Sequence, residues 1–128
     1  MLKNNYVTEK AEVPRSLEGF KNWEFSSGGT TEKDFDTFAR LFRLFIKKNL
    51  KKGMELVNFG KGHYYLSGFI KRNSNFVYFS FSDVRYFPGE WYENILIRTA
   101  RNEQDYTGGG NCSSKLQNLF SEIERLTD

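Results

Sequence analysis

The chain has 128 residues, 38% hydrophobic and 27% charged, which suits one domain of about 100 to 150 residues and excludes a disordered or collagen-like polymer. A single Cys and a single His exclude an internal disulfide and a four-ligand Cys/His zinc site, and no cofactor or metal is expected. The net charge is +3, no apolar run approaches the roughly 18 residues that span a bilayer, and Met1-Leu2-Lys3-Asn4-Asn5 lacks a signal peptide's apolar core, so a cytoplasmic protein without a membrane partner is expected.

Residues 1–30 carry Val7, Val13, Leu17, Phe20, Trp23 and Phe25 without a clean period, and Pro14 and Gly19 interrupt any helix. An extended arm or an edge strand around Phe20–Phe25 is expected there, followed by a flexible turn at Ser26-Ser27-Gly28-Gly29. A helix then opens with Thr31 as N-cap and Asp34 in its first turn, where negative charge suits the helix dipole. Phe35, Phe38, Phe42, Phe45 and Ile46 recur at three- and four-residue steps and so share one face. Arg40, Arg43, Lys47 and Lys51 recur at the same steps on the opposite face, Lys48 and Lys52 widen it, and Gly53 suits the residue after the helix end.

The charge is concentrated around this helix. Residues 40–72 hold nine of the 19 Lys and Arg and only Glu55 among acids, an excess of +8, while residues 1–39 and 73–128 carry −2 and −3. A block this lopsided raises a local positive potential, which bears on partners and not on fold.

Strand-like runs follow. Met54–Phe59 is short, and Gly60-Lys61-Gly62 leads into His63–Arg72, in which Tyr65, Ser67 and Phe69 alternate with Tyr64, Leu66, Gly68 and Ile70. Asn73-Ser74-Asn75 separates this run from Phe76–Val84, so a β-hairpin is expected. Within the second run Val77, Phe79 and Phe81 point one way, and Phe76, Tyr78, Ser80 and Ser82 the other. Pro88-Gly89 reads as a turn and Asn94–Ala100 as the last strand; connections this short imply antiparallel pairing.

A polar loop at Arg101–Asn111 precedes a second amphipathic helix, with Ser114 and Gln117 spaced as a capping box. Leu116, Leu119, Phe120, Ile123 and Leu126 form its apolar stripe. The expected fold class is α+β: a two-layer sandwich of a four-stranded antiparallel sheet with both helices on one face, residues 31–128 forming the core of a single domain.

Two constellations carry the functional reading. Arg40, Arg43, Lys47, Lys48, Lys51 and Lys52, joined by Lys61, Lys71 and Arg72, are placed to neutralise phosphates, and release of condensed counterions drives most nucleic-acid affinity. Six such contacts on duplex DNA would give a salt slope of about −5. The bland alternative is a solvated helix face. The aromatics are the second constellation: 13 Phe, 7 Tyr and 2 Trp slightly outnumber the 21 Leu, Ile and Val residues together. Tyr64, Tyr65 and Tyr78 on the hairpin would stack on bases if the far sheet face is open, and the rings would be buried if residues 1–25 fold across it. A non-enzymatic domain that binds DNA or RNA is therefore the leading expectation.

Other readings remain beside it. The helix–strands–helix order is similar to that of double-stranded-RNA-binding domains, and Gly60-Lys61-Gly62-His63 sits where that family has a Gly and a His in its first hairpin turn. The likeness is one of fold order: only Lys115 stands where the family has a Lys pair, and the positive charge here lies on the first helix. Arg85, Tyr86, Phe87, Trp91 and Tyr92 around Pro88-Gly89 are of the types enriched at protein-interface hot spots. The Lys-, Asn- and Phe-rich usage is similar in style to accessory proteins of phages and plasmids, some of which inhibit host nucleic-acid enzymes; an inhibitor or adaptor docking on such an enzyme is the runner-up. Catalysis has thinner support. Cys112 would have to meet His63, Asp83 lacks a following Glu-x-Lys on the Ile95–Ala100 strand, and a metal-free ribonuclease would draw on His63, Tyr64 or Tyr65 with Arg72, Arg85 or Arg98.

Overall fold

The computed structural model describes residues 12–22, 32–62, 65–82, 84, 87–107 and 109–128. Thr31, Trp23, Phe25, His63, Tyr64, Asp83, Arg85 and Tyr86 lie outside the described residues, and with them the expected N-cap, part of the arm and part of each candidate site.

Pro14 starts a helix here rather than preventing one, as its fixed φ and missing N–H suit a helix entry. Its carbonyl accepts from Leu17 and Glu18, opening α1 (Arg15–Glu18), which tightens into a 3-10 turn over Gly19–Asn22. The expected extended arm is thus helical over this stretch. Leu17 is fully buried, and the Phe20 ring meets Phe38 edge-on at 5.2 Å, so the segment packs against the next helix.

That helix, α2 (Glu32–Asn49), presents Phe35, Phe38, Phe42, Phe45 and Ile46 inward, as the periodicity predicts. It ends earlier than Gly53. Asn49 Nδ2 donates to the Phe45 carbonyl at 2.9 Å, and Lys51 and Lys52 sit in a turn closed by Met54 N donating to Lys51 O. Gly53, at φ +86°, supplies the left-handed step that turns the chain into the sheet.

The sheet holds five antiparallel strands in the order β1-β2-β3-β4-β5: β1 (Met54–Lys61), β2 (Tyr65–Arg72), β3 (Asn75–Ser82), β4 (Ile95–Ala100) and β5 (Cys112–Ser114). The fifth strand is an addition to the four expected, with Ile95 opposite Ser114 and Ile97 opposite Cys112. A two-residue turn with Asn73 at φ +59° joins β2 to β3, and the register sets Leu66 opposite Phe81, Gly68 opposite Phe79 and Ile70 opposite Val77. A Cβ on Gly68 would stand 2.9 Å from the Phe79 ring, so glycine makes room for that phenyl group. β1 carries a bulge between Val57 and Gly60, with Asn58 at φ +50°.

Two further elements depart from expectation. Pro88 opens a short helix, α3 (Pro88–Tyr92), where a turn is predicted. The C-terminal helix begins as a 3-10 turn (Leu116–Asn118) and continues as α4 (Leu119–Thr127). The capping box is not formed: Ser114 ends β5, and its Oγ donates to the Lys115 carbonyl.

Both long helices cover the sheet face that carries Leu66, Ile70, Val77, Phe79, Phe81, Ile95 and Ile97. Phe42 meets Phe81 at 5.0 Å from α2, and Phe45 meets Phe120 of α4 at 5.9 Å, so the helices also touch each other. Trp91 of α3 closes this core against Phe38 at 5.2 Å. Edge-on ring pairs of this kind add about 0.5–1.5 kcal/mol each beyond area burial. The opposite sheet face carries Tyr65, Phe69, Lys71, Phe76, Tyr78 and Arg98, by the alternation of the strands.

Candidate functional site

Apart from Lys71, which lies on the sheet face turned away from the helices, the cationic residues of the middle segment divide into two groups. Arg40, Arg43, Lys47 and Lys48 project from the outer surface of α2 and are exposed, as is Lys52 in the turn beyond it. None of these five forms an ion pair with a carboxylate among the described residues. Arg40 and Lys47 lie seven residues apart, about 10 Å along the helix axis, with Arg43 between them.

The others are engaged within the molecule. Lys51 lies 3.6 Å from Glu124 of α4, and Lys61 pairs with Asp36 at 3.0 Å while its ammonium sits 4.8 Å from the centre of the Phe35 ring. Arg72 donates from Nη1 to the carbonyl of Glu124 at 3.3 Å, which satisfies a carbonyl near the end of that helix. Lys51, Lys61 and Arg72, expected as phosphate contacts, are thus each engaged by a group of α2 or α4. Their partners are far away in sequence, so local charge counting does not reveal them.

The expected stacking residues stand apart from this ridge. Tyr65 and Tyr78 lie on the sheet face turned away from the helices, as does Lys71, whose ammonium is 5.8 Å from the Phe76 ring. The structure does not bring these groups together with Arg40, Arg43 and Lys47, because the whole sheet layer intervenes. Tyr78 is also occupied: the Arg98 guanidinium lies 4.5 Å over its ring, with Phe69 at 5.0 Å and Tyr106 at 5.7 Å.

What covers the centre of this far face is the loop after β4. Tyr106 rests edge-on to Phe69 at 5.3 Å, and Phe69 is fully buried although it points away from the helices. Asn58 Nδ2 donates to Glu103 O at 2.6 Å and to the Tyr106 hydroxyl at 2.9 Å. Arg98, only 4% exposed, donates to the Asp105 carbonyl at 2.8 Å, while the Asp105 carboxylate accepts from the backbone of Arg101 and Thr107. Sequence reasoning treats 101–111 as a polar connection and misses Tyr106. The one signal was an aromatic residue inside an otherwise polar run.

Of the proposed interface cluster around Pro88-Gly89, Phe87 is exposed, Tyr92 is half-buried against Trp91 at 5.3 Å, and Trp91 is 0% exposed. Trp91 is corrected from an interface anchor to a core residue. Its position as the fourth residue of a helix that the sequence disguises as a turn aims it inward. Cys112 is exposed at the start of β5.

Sequence reasoning also passes over Leu44. It stands on the outer side of α2, one turn from Arg40 and from Lys48, and is 52% exposed. Beside it a groove of about 520 Å³ runs between α2 and the segment at 12–16. No group of three or more His, Cys, Asp or Glu side chains that could hold a metal is present among the described residues. No helix among them is long and apolar enough to cross a membrane. No family model, curated protein or solved structure matches the chain.

Proposed function

We propose that the chain binds nucleic acid through the phosphate backbone, using the outer face of α2. The observation that carries this reading is the set of exposed cations without a described acidic partner: Arg40, Arg43, Lys47, Lys48 and Lys52. A solvated helix face needs no such run, and a duplex presents one negative charge per about 1.7 Å of axis. A ridge about 10 Å long thus faces on the order of six phosphate charges. Positive groups held on a rigid helix steer and retain such a polyanion without reading its bases.

Base stacking is not part of this mode, since the exposed ring of Tyr65 points away from the ridge. Four contacts from Arg40, Arg43, Lys47 and Lys48 give an expected slope of log affinity against log salt of about −3.6 on duplex DNA. Fluorescence anisotropy of a labelled oligonucleotide over a salt series measures it. The double variant Arg43→Glu with Lys47→Glu is expected to abolish binding at low salt with a melting temperature only slightly lowered, because both side chains are exposed and, of the two, only Lys47 lies in the last turn of α2, where a cation suits the helix dipole. A flat salt dependence, or undiminished binding by the double variant, overturns the proposal.

A further inference from the structure

The exposed leucine within the cationic surface has no use in phosphate binding. Leu44 precedes Lys47 and Lys48 by three and four residues and follows Arg40 by four, so all four share one side of α2. Leu41 and Phe45 continue the apolar surface from Leu44 into the groove, whose other wall is Val13 and Pro14. Its charged lining residues are Lys48, Arg15 and Glu12, two cations against one carboxylate.

We infer that this groove docks an acidic amphipathic helix from a partner protein. Its apolar side chains would pack on Leu44, Leu41 and Val13, and its flanking carboxylates would meet Lys48, Arg40 and Lys47. Charge complementarity selects that occupant: a basic or neutral helix would leave these cations unpaired beside it, while an acidic one compensates them. Helix-in-groove recognition takes its anchors at three- and four-residue spacing on the entering helix, so one apolar face of such a helix can reach Leu44 and Leu41 together. The inference does not rest on nucleic-acid binding, since Leu44 contributes nothing to a phosphate contact.

Two probes separate the two ideas. One is a fluorescein-labelled helical peptide of about 16 residues with Leu at three- and four-residue steps and Glu elsewhere; the other has the same charge but Ser in place of Leu. The Leu peptide is expected to bind and the Ser peptide to bind about tenfold more weakly or not at all, the difference being burial of its Leu side chains. Leu44→Ser is expected to weaken the Leu peptide about tenfold while leaving oligonucleotide affinity within about twofold. Arg43→Glu, at the one exposed cation of α2 among its described side chains not assigned to the peptide, tests the oligonucleotide reading separately. Equal binding of both peptides, no binding of the Leu peptide, or indifference to Leu44→Ser overturns the docking site. So does concentration-dependent self-association of the chain that Leu44→Ser abolishes, which would assign the groove to a second copy.

Discussion

The side-chain amide of Asn58 donates to the hydroxyl of Tyr106 at 2.9 Å, joining the bulge of β1 to the loop that follows β4. The same amide holds Glu103 O, so one residue in a left-handed conformation fixes both ends of a clasp over the far sheet face. Beneath it lies Phe69, buried but outside the main core.

Tyr106→Ala should uncover Phe69 and Tyr78. With half of the Tyr106 ring already in water, the expected loss is about 1–2 kcal/mol. Asn58→Ala should lose a similar amount, because it removes two hydrogen bonds and places Ala at positive φ. Urea midpoints measure both, and a double variant that loses less than the sum of the single losses would report their coupling.

The clasp also depends on its exit. Gly109 sits at φ +76°, where an added Cβ would run into the Thr99 carbonyl oxygen; Gly110 has open space around it. Gly109→Ala is therefore expected to cost more than about 1 kcal/mol, and Gly110→Ala to be nearly neutral. Equal midpoints for the two variants would contradict the close approach of this loop to β4.

Much of the fold is legible in the chain because its longest elements obey one period each. Phe35 to Ile46 recurs as a helix must, and Val77, Phe79 and Phe81 alternate as a half-buried strand must. Elements that escape are short or defined by distant partners. Cys112-Ser113-Ser114 has no strand character of its own and becomes a strand only because β4 offers an unpaired edge. Pro88-Gly89 has the composition of a turn, yet Pro at the first helical position also opens a helix, and burial of Trp91 decides between them. The site is legible to the same extent. Helical spacing identifies Arg40, Arg43, Lys47 and Lys48 as one face, while the engagement of Lys51 by Glu124 and of Lys61 by Asp36 is a tertiary matter.

Trp91 and Phe87 should behave oppositely on truncation. Trp91 touches Phe38 and Phe42 and is fully enclosed, so Trp91→Ala should cost about 3–5 kcal/mol. Its Nε1 is buried without an acceptor among the described residues, so Trp91→Phe removes an unsatisfied donor along with some volume and should cost clearly less. Phe87, 57% exposed, should tolerate Ala within about 0.5 kcal/mol. Thermal or denaturant unfolding of the three variants orders them.

The separation of ridge and rings bears most directly on binding. If phosphates are met by the outer face of α2, residues across the sheet should not matter to an oligonucleotide. Lys47→Ala should weaken binding on every sequence and flatten the salt slope by about one unit, as loss of one phosphate contact does. Tyr65→Ala and Lys71→Ala are both on the far face and exposed, so each should leave affinity and slope unchanged. Were Tyr65→Ala instead to weaken a single-stranded probe by the roughly 1–3 kcal/mol of a lost base stack, the strand would have to follow the far face. The cations of α2 could not then contact the same short probe, because the sheet lies between them. Paired anisotropy titrations of Lys47→Ala and Tyr65→Ala on one short probe therefore locate the nucleic acid on one side of the molecule or the other.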